Sequence, residues 1–144
     1  LIVATILLLV GGGCLLNRAA AQTRDTTRKH QLDDLEHGLY FARNTLGTYP
    51  PYDAPTWCGE LNAPGSEGVQ AQIEAALRAQ NAKYTNPAKP FPTDDFFYWK
   101  RSPAIFELYA HLESAPTGDR STMLCPGART ELYDYGLVSV QREP

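Results

Sequence analysis

The side chains able to do chemistry in this 144-residue chain are few and scattered. Three histidines, His30, His37 and His111, are the candidate transition-metal ligands. His30 and His37 lie seven apart on one helical stretch, too far to chelate one ion, and read as surface residues. Asp94, Asp95, Glu107 and Glu113 are the candidates for paired-carboxylate acid–base work, but they read as ordinary charges at strand edges. Ser66, Ser102 and Ser139 lack the sharp strand-to-helix turn that presents a nucleophile. Phe96-Phe97-Tyr98-Trp99 resembles a base-stacking platform, yet strand alternation buries half of it, and only Lys100 and Arg101 are basic nearby. No catalytic set emerges, so the expectation is a protein that is not an enzyme, with no metal, no cofactor and no nucleic-acid partner.

The three cysteines divide by context. Cys14 sits in an apolar segment and reads as an unpaired small hydrophobe. Cys58 and Cys125 lie in loop-rich sequence, and a disulfide between them is the leading reading if the domain is outside the cytoplasm. The alternatives are two free thiols or half of a metal site, though no Cys-x-x-Cys or His pair supports a metal.

Composition narrows the class. A net charge of −3 and a pI near 5.6 exclude a generally basic nucleic-acid binder. A mean hydropathy of −0.34 excludes a polytopic membrane protein, and the length suits one domain and a tail. The average hides an asymmetry, because residues 1–17 carry no charge. As a helix they would extend about 25 Å, a little short of a hydrocarbon layer of roughly 30 Å. A signal peptide cleaved after Ala19-Ala20-Ala21 lacks its basic leader, and a lipoprotein acylated on Cys14 lacks the branched residue upstream of Gly11-Gly12-Gly13. A membrane-spanning helix whose first residues are missing is favoured, because the helical pattern continues unbroken past Arg18. The chain opens at Leu1 and its one methionine is Met123, as expected of a processed form or a fragment.

Residues 18–46 contain no proline and a single glycine, Gly38. Leu32, Leu35, Leu39 and Leu46, with Phe41 and Ala42 between, trace one apolar stripe on a helix. Arg24, Arg28, Asp33, Asp34 and Glu36 are placed mostly off it, on a solvated face. Arg24, Arg28 and Lys29 have a second reading, as contacts to anionic lipid headgroups worth about 1 kcal/mol per charge. Gly47 and then Pro50-Pro51 stop the helix, giving a rod roughly 70 Å long.

The segment Thr23 to Pro50 resembles the end of the long helix in type IV pilins and type II secretion pseudopilins. The residues that carry the likeness are Arg24-Asp25 and Arg28, Leu32 and Leu35, Leu39-Tyr40, and the ending Gly47-Thr48-Tyr49-Pro50. Phe106 to Glu113 is similar to the strand Tyr-Glu-Leu-Tyr-Ala-x-Leu-Glu of small pilin-like proteins, and Tyr133-Asp134-Tyr135-Gly136-Leu137 is a weaker match. The mature Phe-Thr-Leu-x-Glu start of the family is absent, and the fifth residue is Thr5. Aligning the Tyr-Pro ending puts Leu1 about eight residues inside the usual start, which would restore a full spanning length. The resemblance extends to pseudopilins that bind calcium, for which Asp94, Asp95 and Asp119 are the oxygen donors to consider, but their spacing fits no defined calcium loop.

The soluble part reads as loop over 48–68, a short helix over 67–82 with Val69, Ile73, Ala76, Leu77 and Gln80 on one side, and loop from Asn86 to Pro92. Strands come next over Asp95–Lys100, Ile105–Glu113 and Leu132–Val140, with a turn at Ser102-Pro103 and a loop at Thr117-Gly118-Asp119. In the middle strand Phe106, Leu108, Ala110 and Leu112 face one way and Glu107, Tyr109, His111 and Glu113 the other, as in a half-buried antiparallel strand. The expected fold class is α+β, with a small antiparallel sheet of three or four strands packed on the soluble half of the long helix.

The resulting expectation divides the chain into a membrane or filament-core half of the helix, 1–22, and a pilin-like domain, 23–144. It is a structural subunit of a type IV pilus or type II secretion-like filament. Its contact residues are Leu1, Ile2, Val3, Ile6, Leu7, Leu8, Leu9, Val10, Leu15 and Leu16, and its partners are related subunits and the membrane. It would cross the inner membrane once, hold its domain outside the cytoplasm, and reach the cell surface on assembly. The alternative is a membrane-anchored or secreted monomeric binding module with a cleaved signal segment, using its Tyr- and Trp-rich surface.

Overall fold

A computed structural model describes residues 2–80, 96–114, 125 and 135–138, with the backbone alone for residues 2–15, 135 and 138. The order of elements is α1 (Ile2–Leu46), β1 (Trp57–Glu60), α2 (Glu67–Ala79), β2 (Phe97–Ser102), β3 (Ile105–Ala110) and β4 (Tyr135–Val138). It is an α+β arrangement, a long N-terminal helix against a four-stranded antiparallel sheet of order β1-β2-β3-β4.

Helix α1 runs 45 residues without interruption, a length of about 68 Å. Its buried stripe is Asp25, Arg28, Leu32, Leu35, Leu39 and Ala42, spaced alternately three and four. This corrects the sequence-based stripe at both ends. Arg28 lies on it, while Phe41 and Leu46 are 39% and 56% exposed and lie off it. The helix ends on Gly47, whose φ of +78° suits a residue without a Cβ and whose amide donates to the Arg43 carbonyl at 2.7 Å. That turn delivers Tyr49 into the core, where it is fully buried with its ring edge-on to Phe106, centroids 4.7 Å apart.

Helix α2 begins after Ser66 and buries Val69, Ile73, Ala76 and Leu77, as its spacing predicts, while Gln80 is its C-cap. It crosses α1 at Gly38. A Cβ there would lie 2.6 Å from Leu77 Cδ2, so glycine is what lets the two helices touch. The core joins Leu32, Leu35 and Leu39 to Ile73 and Leu77 and to the sheet residues Tyr98, Phe106 and Leu108.

Strand β1 lies inside the stretch 48–68 that reads as loop, paired to β2 from Trp57 opposite Lys100 to Glu60 opposite Phe97. In β2 and β3, Phe97 stands opposite Tyr109 and Lys100 opposite Phe106, and the register then shifts between Lys100 and Ser102. The expected half-buried character of β3 is also corrected. Glu107 and Tyr109, on the face away from α1, are as buried as Phe106 and Leu108. Phe97, Tyr109 and Cys125 form a second small cluster there, with Trp99 against it. The predicted Leu132–Val140 strand is described over Tyr135–Val138. The predicted loops at 86–92 and 117–119 lie outside the described residues.

Candidate functional site

Among the described residues, the most elaborate polar structure lies at Arg24, Asp25 and Arg28 of α1. Asp25 and Arg28 continue the apolar stripe toward the N-terminus, so the helix that buries Leu32 and Leu35 must bury them as well. Opposite them is the chain just after β3, at Glu113 and Ser114. Arg24 grips Glu113 with two parallel bonds, Nε to Oε1 at 2.8 Å and Nη2 to Oε2 at 2.5 Å. Arg28 Nη1 donates to Glu113 Oε1 at 2.7 Å and to Asp25 Oδ1 at 3.1 Å. Asp25 accepts the Glu113 amide at 2.8 Å, the Ser114 amide at 2.7 Å and the Ser114 hydroxyl.

Two cations and two anions thus neutralise one another, and the side chains of Arg28, Asp25 and Glu113 are only 2%, 7% and 5% exposed. Burial pushes the Asp25 carboxyl up, but hydrogen bonds from Ser114, the Glu113 amide and Arg28 outweigh it and hold it below its ordinary value. Glu113 is held below its ordinary value first by Arg24, against some burial, with Arg28 adding to the effect. The arrangement ties α1 to the chain just after β3. The charges are used on each other and present no open coordination position or free nucleophile.

The headgroup and solvated-face readings of Arg24 and Arg28 are therefore both corrected. The bonds that occupy these arginines span 85 and 89 residues of sequence, which no local pattern reveals. A signal was nonetheless present, since Asp25 and Arg28 keep the three–four spacing of Leu32, Leu35 and Leu39. Lys29 and His30 are exposed, as is His37, whose Nδ1 lies 2.8 Å from the Asp33 carbonyl oxygen.

A second set of anchors holds the loop after α1. Tyr98 donates its hydroxyl to the Pro50 carbonyl, and Lys100 Nζ donates to the carbonyls of Pro51 and Ala54, each at 2.7 Å. Lys100 is 1% exposed, so its ammonium is not offered to a ligand, and Tyr98 is buried beside it. On the other face Arg101 lies over the Trp99 ring, 4.9 Å from its centroid, and donates to Glu107 at 2.8 Å. Tyr109 donates its hydroxyl to the same carboxylate. The aromatic run is thus divided between two buried faces rather than displayed as a stacking platform.

Of the predicted contact residues, Leu16 is 74% exposed. Ile2, Val3, Ile6, Leu7, Leu8, Leu9, Val10 and Leu15 lie on the α1 backbone with side chains outside the description, and Leu1 is outside it altogether. From Leu16 to Thr23 no residue is buried. Among the described residues no helix is long and apolar enough to cross a membrane. Cys58 and Cys125 are brought together as a disulfide, Cα atoms 6.4 Å apart, tying β1 to the second cluster. Asp94, Asp95 and Asp119 lie outside the described residues, and among those described no group of three or more His, Cys, Asp or Glu side chains could hold a metal ion.

These features define the class only as far as the fold goes, an α+β domain pinned along the distal half of a long helix. No family model, curated protein or solved structure matches the chain.

Proposed function

We propose that the chain is a pilin-like or pseudopilin structural subunit, and that its activity is assembly rather than catalysis. The observation that carries this reading is the division of α1. Its distal half is buried by α2 and the sheet, whereas none of the residues from Leu16 to Thr23 is buried and, among the described residues, only Ala21 of that stretch is even partly covered. Continuous with that bare stretch are 17 residues without a charge, Leu1 to Asn17. A helix needs no such extension to stabilise a domain of this size, and an uncharged one must be covered by lipid or by protein.

On this reading the apolar half holds the subunit in the inner membrane before assembly. In the filament the same side chains, Leu1, Ile2, Val3, Ile6, Leu7, Leu8, Leu9, Val10, Leu15 and Leu16, exchange lipid for neighbouring helices. The Arg24–Asp25–Arg28–Glu113 junction transmits the position of the helix to the domain that forms the exterior. The Cys58–Cys125 pair suits a domain outside the cytoplasm.

The test is co-assembly. Tagged chains lacking residues 1–22 are mixed with intact chains and the assembled material is pelleted. The tag should stay in the supernatant. Incorporation as efficient as that of a tagged intact chain would contradict the proposal.

A further inference from the structure

Between the loop after α1 and the first two turns of α2 lies an open pocket of about 250 Å³. Asp53 lines it from the loop, Trp57 from the start of β1 and Gln72 from α2. Bonds already made hold its walls. Lys100 Nζ donates to the carbonyls of Pro51 and Ala54, two further lining residues, each at 2.7 Å. Gln72 Oε1 accepts the Tyr52 amide at 3.0 Å, which fixes the side-chain amide and leaves Nε2 with its two N–H donors. Tyr98 stacks on the Trp57 indole, centroids 5.8 Å and planes 28° apart. Trp57 is half-buried, and what stays uncovered lines the pocket on a ring that already has its backing. Groups fixed before a ligand arrives lose little free energy to ordering when it binds.

The chemistry of the walls selects the ligand. Asp53 is the one charged side chain among the described residues that line the pocket, and a carboxylate only accepts hydrogen bonds. Gln72 Nε2 only donates. An anion is repelled by Asp53, and the buried Lys100 ammonium is engaged by two carbonyls and cannot offset that charge. A quaternary ammonium would suit Asp53 and the indole but accepts nothing from Nε2. A divalent cation needs several oxygen ligands where one carboxylate is present. An aliphatic group would leave both polar side chains unpaired. A hydroxyl donates and accepts, so neighbouring hydroxyls satisfy the carboxylate and the amide together. A pyranose carries such hydroxyls around its rim and an apolar C–H face suited to an indole. The volume lies just below the range of about 300–1,000 Å³ typical of drug-sized ligands, which suits one ring rather than a row of them.

We propose that the Asp53–Trp57–Gln72 pocket binds a single neutral pyranose. The apolar face of the sugar lies on Trp57, one hydroxyl donates to Asp53, and a neighbouring hydroxyl oxygen accepts from Gln72 Nε2. The proposal goes beyond the filament reading and does not depend on it.

Saturation-transfer NMR on the full chain in lipid nanodiscs, free of sugar-headed detergent, tests it. The probes are glucose, galactose, mannose and N-acetylglucosamine, each as the free sugar and as its methyl glycoside, with choline and N-acetylalanine methylamide beside them. At least one pyranose should show saturable binding at millimolar concentration. Asp53→Asn, at an exposed position, should weaken that binding by about tenfold or more. A Cβ on Gly68, which also lines the pocket, meets nothing within 4 Å. Gly68→Leu therefore fills the pocket while raising helix propensity, and should abolish binding with the circular dichroism unchanged, whether or not Trp57→Ala folds. Equal binding of a methyl glycoside and its parent sugar supports the proposal with a glycan residue as ligand, and loss on methylation supports it with a free sugar. Choline or the peptide bound with no pyranose bound overturns it. No probe bound overturns it as well, as does a pyranose still bound by both Asp53→Asn and Gly68→Leu.

Discussion

Replacing Arg28 with methionine should be the most costly single change at the helix–sheet junction, and its cost should depend on pH. Methionine keeps much of the packing length while removing the charge that bonds Glu113 at 2.7 Å and Asp25 at 3.1 Å. Both carboxylates stay buried. Removing one member of a buried ion pair typically costs 3–5 kcal/mol. The lower end applies here, about 3 kcal/mol, because Arg24 still grips Glu113, although Arg24 is itself one-third exposed and counts for less. The sign of the pH dependence is set by the carboxylates. Both are held below their ordinary values of 3.8 and 4.5, so the unfolded chain takes up protons first as pH falls. Their contribution is whole above the ordinary carboxylate range and is lost as pH drops through the folded values. With Arg28 gone there is less to lose, so the gap between variant and wild type should narrow on acidification. Urea unfolding of the full chain in detergent, followed by near-ultraviolet circular dichroism of Trp57 and Trp99, reads both quantities. A loss under about 1 kcal/mol at pH 7, or an equal loss at pH 7 and pH 3, would refute the reasoning.

Three other contacts give further expected outcomes. Gly38→Ala gains about 1 kcal/mol of helix propensity but forces Leu77 out of a Cβ approach of 2.6 Å, so thermal unfolding should show a net loss of about 1 kcal/mol; a stabilised variant would contradict this. Reducing the Cys58–Cys125 bond, which spans 67 residues, should cost about 4 kcal/mol in the chain-entropy model, and Cys58→Ser should shift the urea midpoint as reductant does. Lys100→Met strips the donor from the Pro51 and Ala54 carbonyls and should cost about 1–3 kcal/mol, with faster amide exchange over 50–56.

The elements built on a strong local period were legible in the sequence. Leu32, Leu35 and Leu39 identified the helix, Val69, Ile73 and Leu77 identified α2, and Phe106 and Leu108 identified β3. What escaped reading depends on distant partners. β1 is four residues between a proline-rich loop and a turn, and it is a strand because β2 is there to receive Trp57 to Glu60. Glu107 and Tyr109 looked solvent-facing because alternation says only that two faces differ, not that one is wet. Here Cys125 is brought onto the second face. Arg24 and Arg28 looked like surface charge because Glu113 is remote in sequence. Buried charge is costly unless paired, and the pair was visible only once helix and strand were set side by side.

The proposed assembly turns on what covers the uncharged half of α1 in the membrane and in the filament. The direct measurement is fluorescence quenching of a single label at Leu8→Cys, in a Cys14→Ser chain, by bromine carried on lipid tails. The label should be quenched in membranes holding dispersed subunits and should lose that quenching in assembled filaments while remaining shielded from aqueous iodide. A label that iodide reaches in both states, or one still quenched by lipid in the filament, would contradict the exchange of lipid for neighbouring helices.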